Sequence, residues 1–274
     1  MSSFNLAKPK HPDWAHSYEE YKQLLKLPLA NKIERAHMII IDALQHSHHN
    51  AVACSWGKDS IVLVHLVRDF CPNIKIVYHN TGVEYPQNLA YRDRMLKEWN
   101  ITNYEETKPL MSFWECAKIY GMPQTRKQSF QRKKGDKDTP MCCKMLKEKP
   151  AKIWRKENKI ELEFVGLQAA ESMSRRLSFL REGESFFSKT YKLQIVRPLM
   201  IWTDKDIWEY HKLFNIPKNP LYDIMPRNGC MPCTGFQNWE KVMAKANPKL
   251  YQFVSKKMGA LAMDCWFGKV VYAK

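Results

Sequence analysis

A six-residue polar loop, Ser55-Trp-Gly-Lys-Asp-Ser60, lies between two apolar runs and narrows the fold more than any other feature. Before it, Asn50-Ala-Val-Ala-Cys54 reads as a short buried strand. After it, Ile61-Val-Leu-Val-His-Leu-Val67 is long enough for a buried helix that ends near Phe70. A strand, a glycine-containing bend and a helix start together present backbone N–H groups and a positive dipole end to an anion. Gly57 lets the backbone approach closely, Lys58 adds a point charge, and Ser55 and Ser60 supply hydroxyls. Asp59 is the odd member, because a carboxylate beside phosphates makes chemical sense when it helps hold a divalent cation such as Mg2+. The Walker A spacing is absent, which excludes a standard P-loop NTPase. The bland alternative is an ordinary Gly/Ser turn.

The pattern repeats downstream. Ile74 to His79 is a second β-type run, Tyr85 to Asn100 a helix, Ile101 to Glu105 a weaker strand and Glu163 to Gly166 a fourth. Such alternation predicts an α/β, Rossmann-like, mostly parallel sheet with helices on both faces, plus a small C-terminal Cys-containing segment. In such sheets ligands bind at the carboxyl ends of strands, so the loops beginning at Ser55, Asn80 and Leu167 should converge. Upstream, Ser17-Tyr-Glu-Glu20 has the form of a capping box, and Lys32 to Gln45 reads as a helix with Ile33, Ala36, Ile40 and Leu44 on one face. His46-Ser-His-His-Asn50 reads as a polar helix end in preference to a metal site. The expected organisation is an arm and first helix over 1–29, a nucleotide-binding domain over 30–225 with a basic insertion near 121–150, and a CxxC segment and tail over 226–274.

Charge bears on partners. Lysine and arginine number 44 against 28 acidic residues, a formal net charge of +16 with a pI near 9.4. Ten of the basic residues fall between Arg126 and Lys152, against three acidic ones. That excess suits a polyanion such as nucleic acid, or else a merely soluble basic surface. Met1 to Pro12 contains no apolar targeting core, and Met38 to Leu44 is too short to span a bilayer. The expectation is a cytoplasmic protein with no membrane partner. In a reducing compartment the eight cysteines serve as ligands, nucleophiles or core, not as a disulfide framework. Cys142-Cys143 and Cys230-Met-Pro-Cys233 make two thiol pairs, enough for a four-sulfur shell around zinc or a [4Fe–4S] cluster. Lys144 would add a cation beside the first pair, and Cys54 reads as core.

The loop resembles the S-x-G-x-D-S signature of the adenine-nucleotide α-hydrolase superfamily, the PP-loop ATP pyrophosphatases. The chain is similar, more narrowly, to the phosphoadenosine phosphosulfate (PAPS) reductase family over roughly residues 30–236. That likeness adds Asn80-Thr-Gly-Val-Glu-Tyr-Pro86, Gly166-Leu-Gln-Ala-Ala-Glu-Ser172 with Arg175, and the run from Arg197 to Trp208. It continues through Ile216 to Tyr222 and Gly229 to Thr234. The resemblance implies ATP and Mg2+ at Ser55, Trp56, Gly57, Lys58, Asp59 and Ser60, with Asn80, Thr81, Gly82, Gly166 and Glu171 near the nucleotide. It implies that Arg175 or Arg176 reaches the phosphates, with Asp59, Lys58 and Arg175 as the catalytic set. It also favours [4Fe–4S] over zinc at Cys142, Cys143, Cys230 and Cys233.

Departures from the family pattern shape the functional expectation. Family reductases carry their nucleophile in a C-terminal Glu-Cys-Gly-Leu-His segment, which is missing here, and Met263-Asp-Cys-Trp266 matches it poorly. Asp59, often lost from reductases, is kept. The expected activity is therefore ATP cleavage to AMP and pyrophosphate, adenylating a nucleic-acid oxygen for replacement by sulfur. DNA phosphorothioation is favoured over tRNA, with a cysteine desulfurase as sulfur donor and a nickase or DNA-binding subunit as a further partner. The alternatives are an assimilatory sulfonucleotide reductase using Cys265, a tRNA thiolation enzyme, and an idle iron–sulfur nucleic-acid-binding subunit.

Overall fold

The computed structural model describes residues 16–123, 141–235 and 238–264. The basic positions between 126 and 140, the arm before residue 16 and Cys265 lie outside the described residues. Six strands form one sheet: β1 (Asn50–Ala53), β2 (Lys75–His79), β3 (Tyr104–Thr107), β4 (Leu162–Val165), β5 (Ser185–Ser188) and β6 (Leu193–Val196). Their order is β3-β2-β1-β4-β6-β5. Val52 stands opposite Ile76 on β2 and Phe164 on β4, and Phe164 opposite Val196 on β6, all in parallel pairs. β5 runs antiparallel to β6, with Phe186 opposite Ile195. The expected α/β, mostly parallel sheet is therefore present. The chain moves outward from β1 through β2 to β3, then returns to place β4 on the other side of β1. That reversal opens a crevice at the carboxyl ends of β1 and β4.

The helices are α1 (Tyr18–Leu25), α2 (Leu29–Gln45), α3 (Lys58–Arg68), α4 (Pro86–Glu98), α5 (Phe113–Tyr120) and α6 (Met141–Cys143). After α6 a π-helical turn, Lys144–Glu148, leads into α7 (Lys149–Glu157). There follow α8 (Met173–Glu182), α9 (Asp204–Leu213), α10 (Trp239–Ala246) and α11 (Pro248–Asp264). Pro150 explains the wide turn. It has no N–H for the carbonyl of Leu146 and its ring crowds that carbonyl, so the turn before it opens by one residue.

Contacts divide the chain into two compact units. The first comprises Met1–Tyr78, Arg92–Glu105 and Arg155–Asn219. Its centre is α3, whose Ile61, Val62, Leu63, Val64, Leu66 and Val67 have no exposed surface, as expected of a helix apolar on all sides. α3 packs on β1 and β4, α2 on α3 and β6, and α9 on α3. Capping boxes start α1 at Ser17 with Glu20 and α9 at Thr203 with Asp206. The stripe expected on α2 is half right. Ala36 and Ile40 are buried, but the inward face also holds Lys32 at 1% exposure. Its ammonium donates to the Leu25 carbonyl at 2.9 Å and to Asp206 at 2.7 Å.

The second unit comprises His79–Tyr91, Glu106–Trp154 and Pro220–Lys274. It has its own core of Tyr85, Phe113, Cys116, Met122, Cys142, Leu146, Leu221, Met225, Trp239, Met243 and Val254. Ser112 and Glu115 form the capping box of α5, and Gly121, at φ 80°, ends that helix.

Two strand expectations need correction. The third strand begins at Tyr104, not Ile101. Asn100 adopts a left-handed conformation and Ile101 donates back to the Leu96 carbonyl, a helix-ending motif that consumes those residues. The β5–β6 hairpin was not anticipated, because each strand has four residues and Phe186 and Phe187 sit between serines.

Candidate functional site

In the first unit, Cys54 continues the β1 ladder by donating to Val77 at 2.9 Å. Its thiol is buried, and burial pushes it up to about 12, so it acts as core. The Ser60 hydroxyl then draws the loop together. It donates to the Gly57 carbonyl at 3.1 Å and accepts the Ser55 amide at 3.2 Å, with the Ser55 hydroxyl also 3.2 Å away. Trp56 sits at φ 61° with its indole fully buried, edge-on to Tyr104. What Trp56 offers a ligand is therefore backbone, not the ring. Its carbonyl accepts from the Asn219 side chain at 2.9 Å. Gly57 precedes α3 and no side chain caps this helix end, the arrangement that an anion site at a helix start uses.

The charged members of the loop are held from three sides. Lys58 donates to both Asp59 oxygens at 2.9 and 3.0 Å and to Asp204 at 2.8 Å. Burial by itself would lower the Lys58 ammonium, but the charges of Asp59 and Asp204 and its hydrogen bonds to them outweigh it and hold it above its usual value. Gln168, just beyond β4, donates to Asp59. His211 of α9 lies 2.9 Å from the Lys58 carbonyl, and burial holds its imidazole below the usual range. A Cβ at Gly166 would stand 3.1 Å from Ser60 Cα and 3.2 Å from the Asp59 backbone, so only glycine permits β4 this close to the loop.

Glu171 and Arg175 stand four apart, the spacing of neighbours on one helix face, and they form an ion pair, but not on one helix. Glu171 ends a 3-10 turn (Ala169–Glu171), Ser172 caps α8, and the pair reaches across that cap. Arg176 extends over the Tyr21 ring at 5.8 Å. The residues that sequence reasoning did not assign to this site are Gln168, Asp204, His211 and Asn219. Gln168, Asp204 and Asn219 lie within the motif blocks that carry the family likeness, whereas His211 falls between two of them.

In the second unit, Asn80 accepts from the Gly82 amide and donates to Glu106, both at 2.8 Å. Gly82 takes φ 76°. Thr81 donates to Glu84 at 2.7 Å, and its hydroxyl lies 3.3 Å from the Cys230 sulfur. Glu84 and Cys230 also pair as an isolated antiparallel bridge, and Met231 donates to the Val83 carbonyl. Segment 80–84 thus braces the second thiol pair.

The four thiols act on one another's ionisation. The hydrogen bond from Cys142 holds the Cys143 thiol low, at about 7, against the cost of burial and with help from Lys147 and Arg227. Cys142 is correspondingly pushed up, by that hydrogen bond and by burial. Burial and the Glu84 charge push Cys230 up to about 12. Lys147 and Arg227 are cations that act on Cys143. Among the described residues no three His, Cys, Asp or Glu side chains are set around one metal position. In kind and number the donors fit a four-thiolate centre.

Residues 49–236, which include the loop and both cysteine pairs, match the phosphoadenosine phosphosulfate reductase domain. The chain belongs to this family. Within it, an adenosine 5'-phosphosulfate reductase of Bacillus cereus is 26% identical over 193 residues, 69% of this chain and 75% of that protein. A second B. cereus reductase of the same name is 28% identical over 185 residues, 66% and 71% of the two chains. Among solved structures, the PAPS reductase of Candida auris in its phosphate complex has a TM-score of 0.52 at 16% identity, covering 76% of this chain and 92% of that one. The Candida glabrata FMN adenylyltransferase with ATP has a TM-score of 0.51 at 11% identity, covering 78% and 68%. These likenesses establish the adenine-nucleotide α-hydrolase type of fold for the PAPS reductase family chain. Among the described residues no helix is long and apolar enough to cross a membrane.

Proposed function

We propose that this chain is a sulfonucleotide reductase that takes an adenylyl sulfate and releases sulfite. The observation that carries this reading is the match to adenosine 5'-phosphosulfate reductases over 69% of the chain, together with the family-domain match over residues 49–236, which hold the loop and both thiol pairs. The uncapped start of α3, with Ser55, Ser60 and Lys58, would take the phosphate end of the nucleotide. A thiolate, for which Cys265 is the terminal candidate, would attack the sulfur. The S–O bond to the nucleotide breaks and AMP leaves with the electron pair, while the sulfo group stays on the cysteine. A dithiol from outside the chain then releases sulfite and becomes a disulfide. Cys142, Cys143, Cys230 and Cys233 would hold a [4Fe–4S] cluster, a redox-active cross-link between the 141–148 turn and the 230–233 turn.

Asp59 favours a second reading, the one expected from sequence. A carboxylate held by both Lys58 and Gln168 suits Mg2+ and a leaving pyrophosphate, hence adenylation of a DNA or tRNA oxygen before sulfur insertion. A cysteine desulfurase, a DNA-acting subunit and a cytoplasmic location belong to that reading.

One anaerobic experiment separates the two. The protein is given adenosine 5'-phosphosulfate or its 3'-phosphorylated form with a dithiol, and separately Mg-ATP with DNA or tRNA. Sulfite that disappears with Cys265→Ser supports the reductase. AMP and pyrophosphate from ATP that disappear with Asp59→Ala, without sulfite release, overturn it in favour of adenylation.

A further inference from the structure

The paired helices α10 and α11 of the second unit carry a surface that neither reading uses. Leu250, Tyr251, Val254 and Met258 of α11 turn inward onto the core around Tyr85, Phe113 and Met243. The opposite stripe is Lys249, Gln252, Phe253, Lys256 and Lys257, spaced i, i+3, i+4, i+7 and i+8, and all five are exposed. Lys241 and Lys245 are exposed on α10, and residues 241–263 contain no Asp or Glu.

An aromatic residue stands in the middle of this basic stripe. Phe253 is 48% exposed. It is also fixed in place: Trp114 of α5 meets its ring nearly perpendicularly at 5.7 Å, and the Lys257 ammonium lies 5.9 Å from its centroid. Lys118 follows Trp114 by one turn of α5 and is exposed as well. The surface therefore combines positive charge with a half-exposed aromatic ring held beside Trp114 and Lys257.

We propose that this face binds single-stranded nucleic acid, with the lysines against phosphates and Phe253 as the platform for one base. The chemistry selects that partner. A second copy of this chain would meet lysine with lysine. Duplex DNA stacks its bases internally and offers the ring no π-face, whereas an unpaired base does. An acidic peptide would use the lysines but would leave Phe253 without a role. The proposal rests on neither reading of the phosphate loop, so failure of one says nothing about the other.

Fluorescence anisotropy tests it, with the full chain titrated onto a labelled 15-residue oligothymidine or oligouridine at several salt concentrations. Phe253→Ala and the volume-preserving Phe253→Leu should each weaken binding by roughly fivefold to a hundredfold, the range for loss of one base–aromatic stack, while Phe253→Trp retains it. Lys256→Gln with Lys257→Gln should reduce the log–log salt slope by about 0.7 per lysine for a single strand. Thermal unfolding of each variant checks that the helix pair stays folded. Three results would overturn the proposal: no binding of either oligomer, tighter binding of a duplex of the same length, or Phe253→Leu binding as the parent does. Polyglutamate competing as well as oligothymidine would reassign the face to an acidic protein and overturn it too.

Discussion

Asp204→Asn is the most informative single change at the phosphate loop. Lys58 is only 9% exposed and gives two hydrogen bonds to Asp59, which Gln168 also holds. Asp204, which takes a further hydrogen bond from Lys58, has a side chain 66% exposed. Asp204 is thus the partner that an incoming phosphate would meet on the ammonium. An anion oxygen on the ammonium would stand about 5 Å from the Asp204 carboxylate. Two like charges at that separation repel by about 0.8 kcal/mol in water and about 1.7 kcal/mol at half that dielectric. Asparagine keeps the acceptor oxygen and removes the charge, so ATP or pyrophosphate should bind about 4-fold to 16-fold more tightly at low salt. Because Asp204 is exposed, the gain should shrink as salt rises. Titration calorimetry on parent, Asp204→Asn and Asp204→Ala reads this directly. Weaker or unchanged binding by Asp204→Asn at low salt would refute the argument and make Asp204 part of the cradle.

Lys32→Met should cost ~2–3 kcal/mol, below the usual cost of breaking a buried ion pair, because Thr203 still donates twice to Asp206; thermal unfolding should drop by about 5–10 °C, partly recovered by adding Asp206→Asn. Gly166→Ala forces a methyl against the Asp59 and Ser60 backbone at a cost of ~1–3 kcal/mol, and calorimetry should show nucleotide affinity falling with it. His211 is held below its ordinary 6.5 by burial, as are His37 and His65. The unfolded chain therefore takes up those protons first. Stability is full above 6.5 and is lost as pH falls below it, and His211→Gln should flatten the urea-midpoint profile there. Anaerobic reconstitution should load iron and acid-labile sulfide in equal amounts, and serine at Cys142, Cys143, Cys230 or Cys233 should abolish that uptake while Cys71→Ser leaves it intact.

The parts of this fold legible in the sequence are those whose causes are local. Ser17 with Glu20 satisfies backbone amides three residues away, so spacing alone located that cap. The apolar run after Ser60 declared a buried helix without help from any partner. Lys32 was invisible for the opposite reason: its burial depends on Asp206, 174 residues later. Trp56 looked available beside a phosphate loop, yet its left-handed backbone turns the ring into the core. Glu171 and Arg175 had helical spacing but a cap between them, which periodicity cannot register. Asp204 stood in the run from Arg197 to Trp208, yet its role did not show there, because that role lies in Lys58, which only the α3–α9 packing brings to it.

The divided core of the second unit has a consequence for synthesis. Both units draw on three stretches, but the first is complete in sequence at Asn219, whereas the core of the second still needs Trp239, Met243 and Val254. Tyr85 must wait for Met243, its hydrogen-bond partner 158 residues on. At about 5–20 residues per second, translating the roughly 35 residues from Asn219 to Val254 takes about two to seven seconds. For that interval the second unit of a nascent chain carries an unsealed patch of Tyr85, Phe113, Leu146 and Met225. A ribosome stalled between those points would display a ready target for hydrophobic-binding chaperones. A stop codon after residue 236 would leave the same patch permanently open, so the Cys265 question is better asked by point substitution than by shortening the chain.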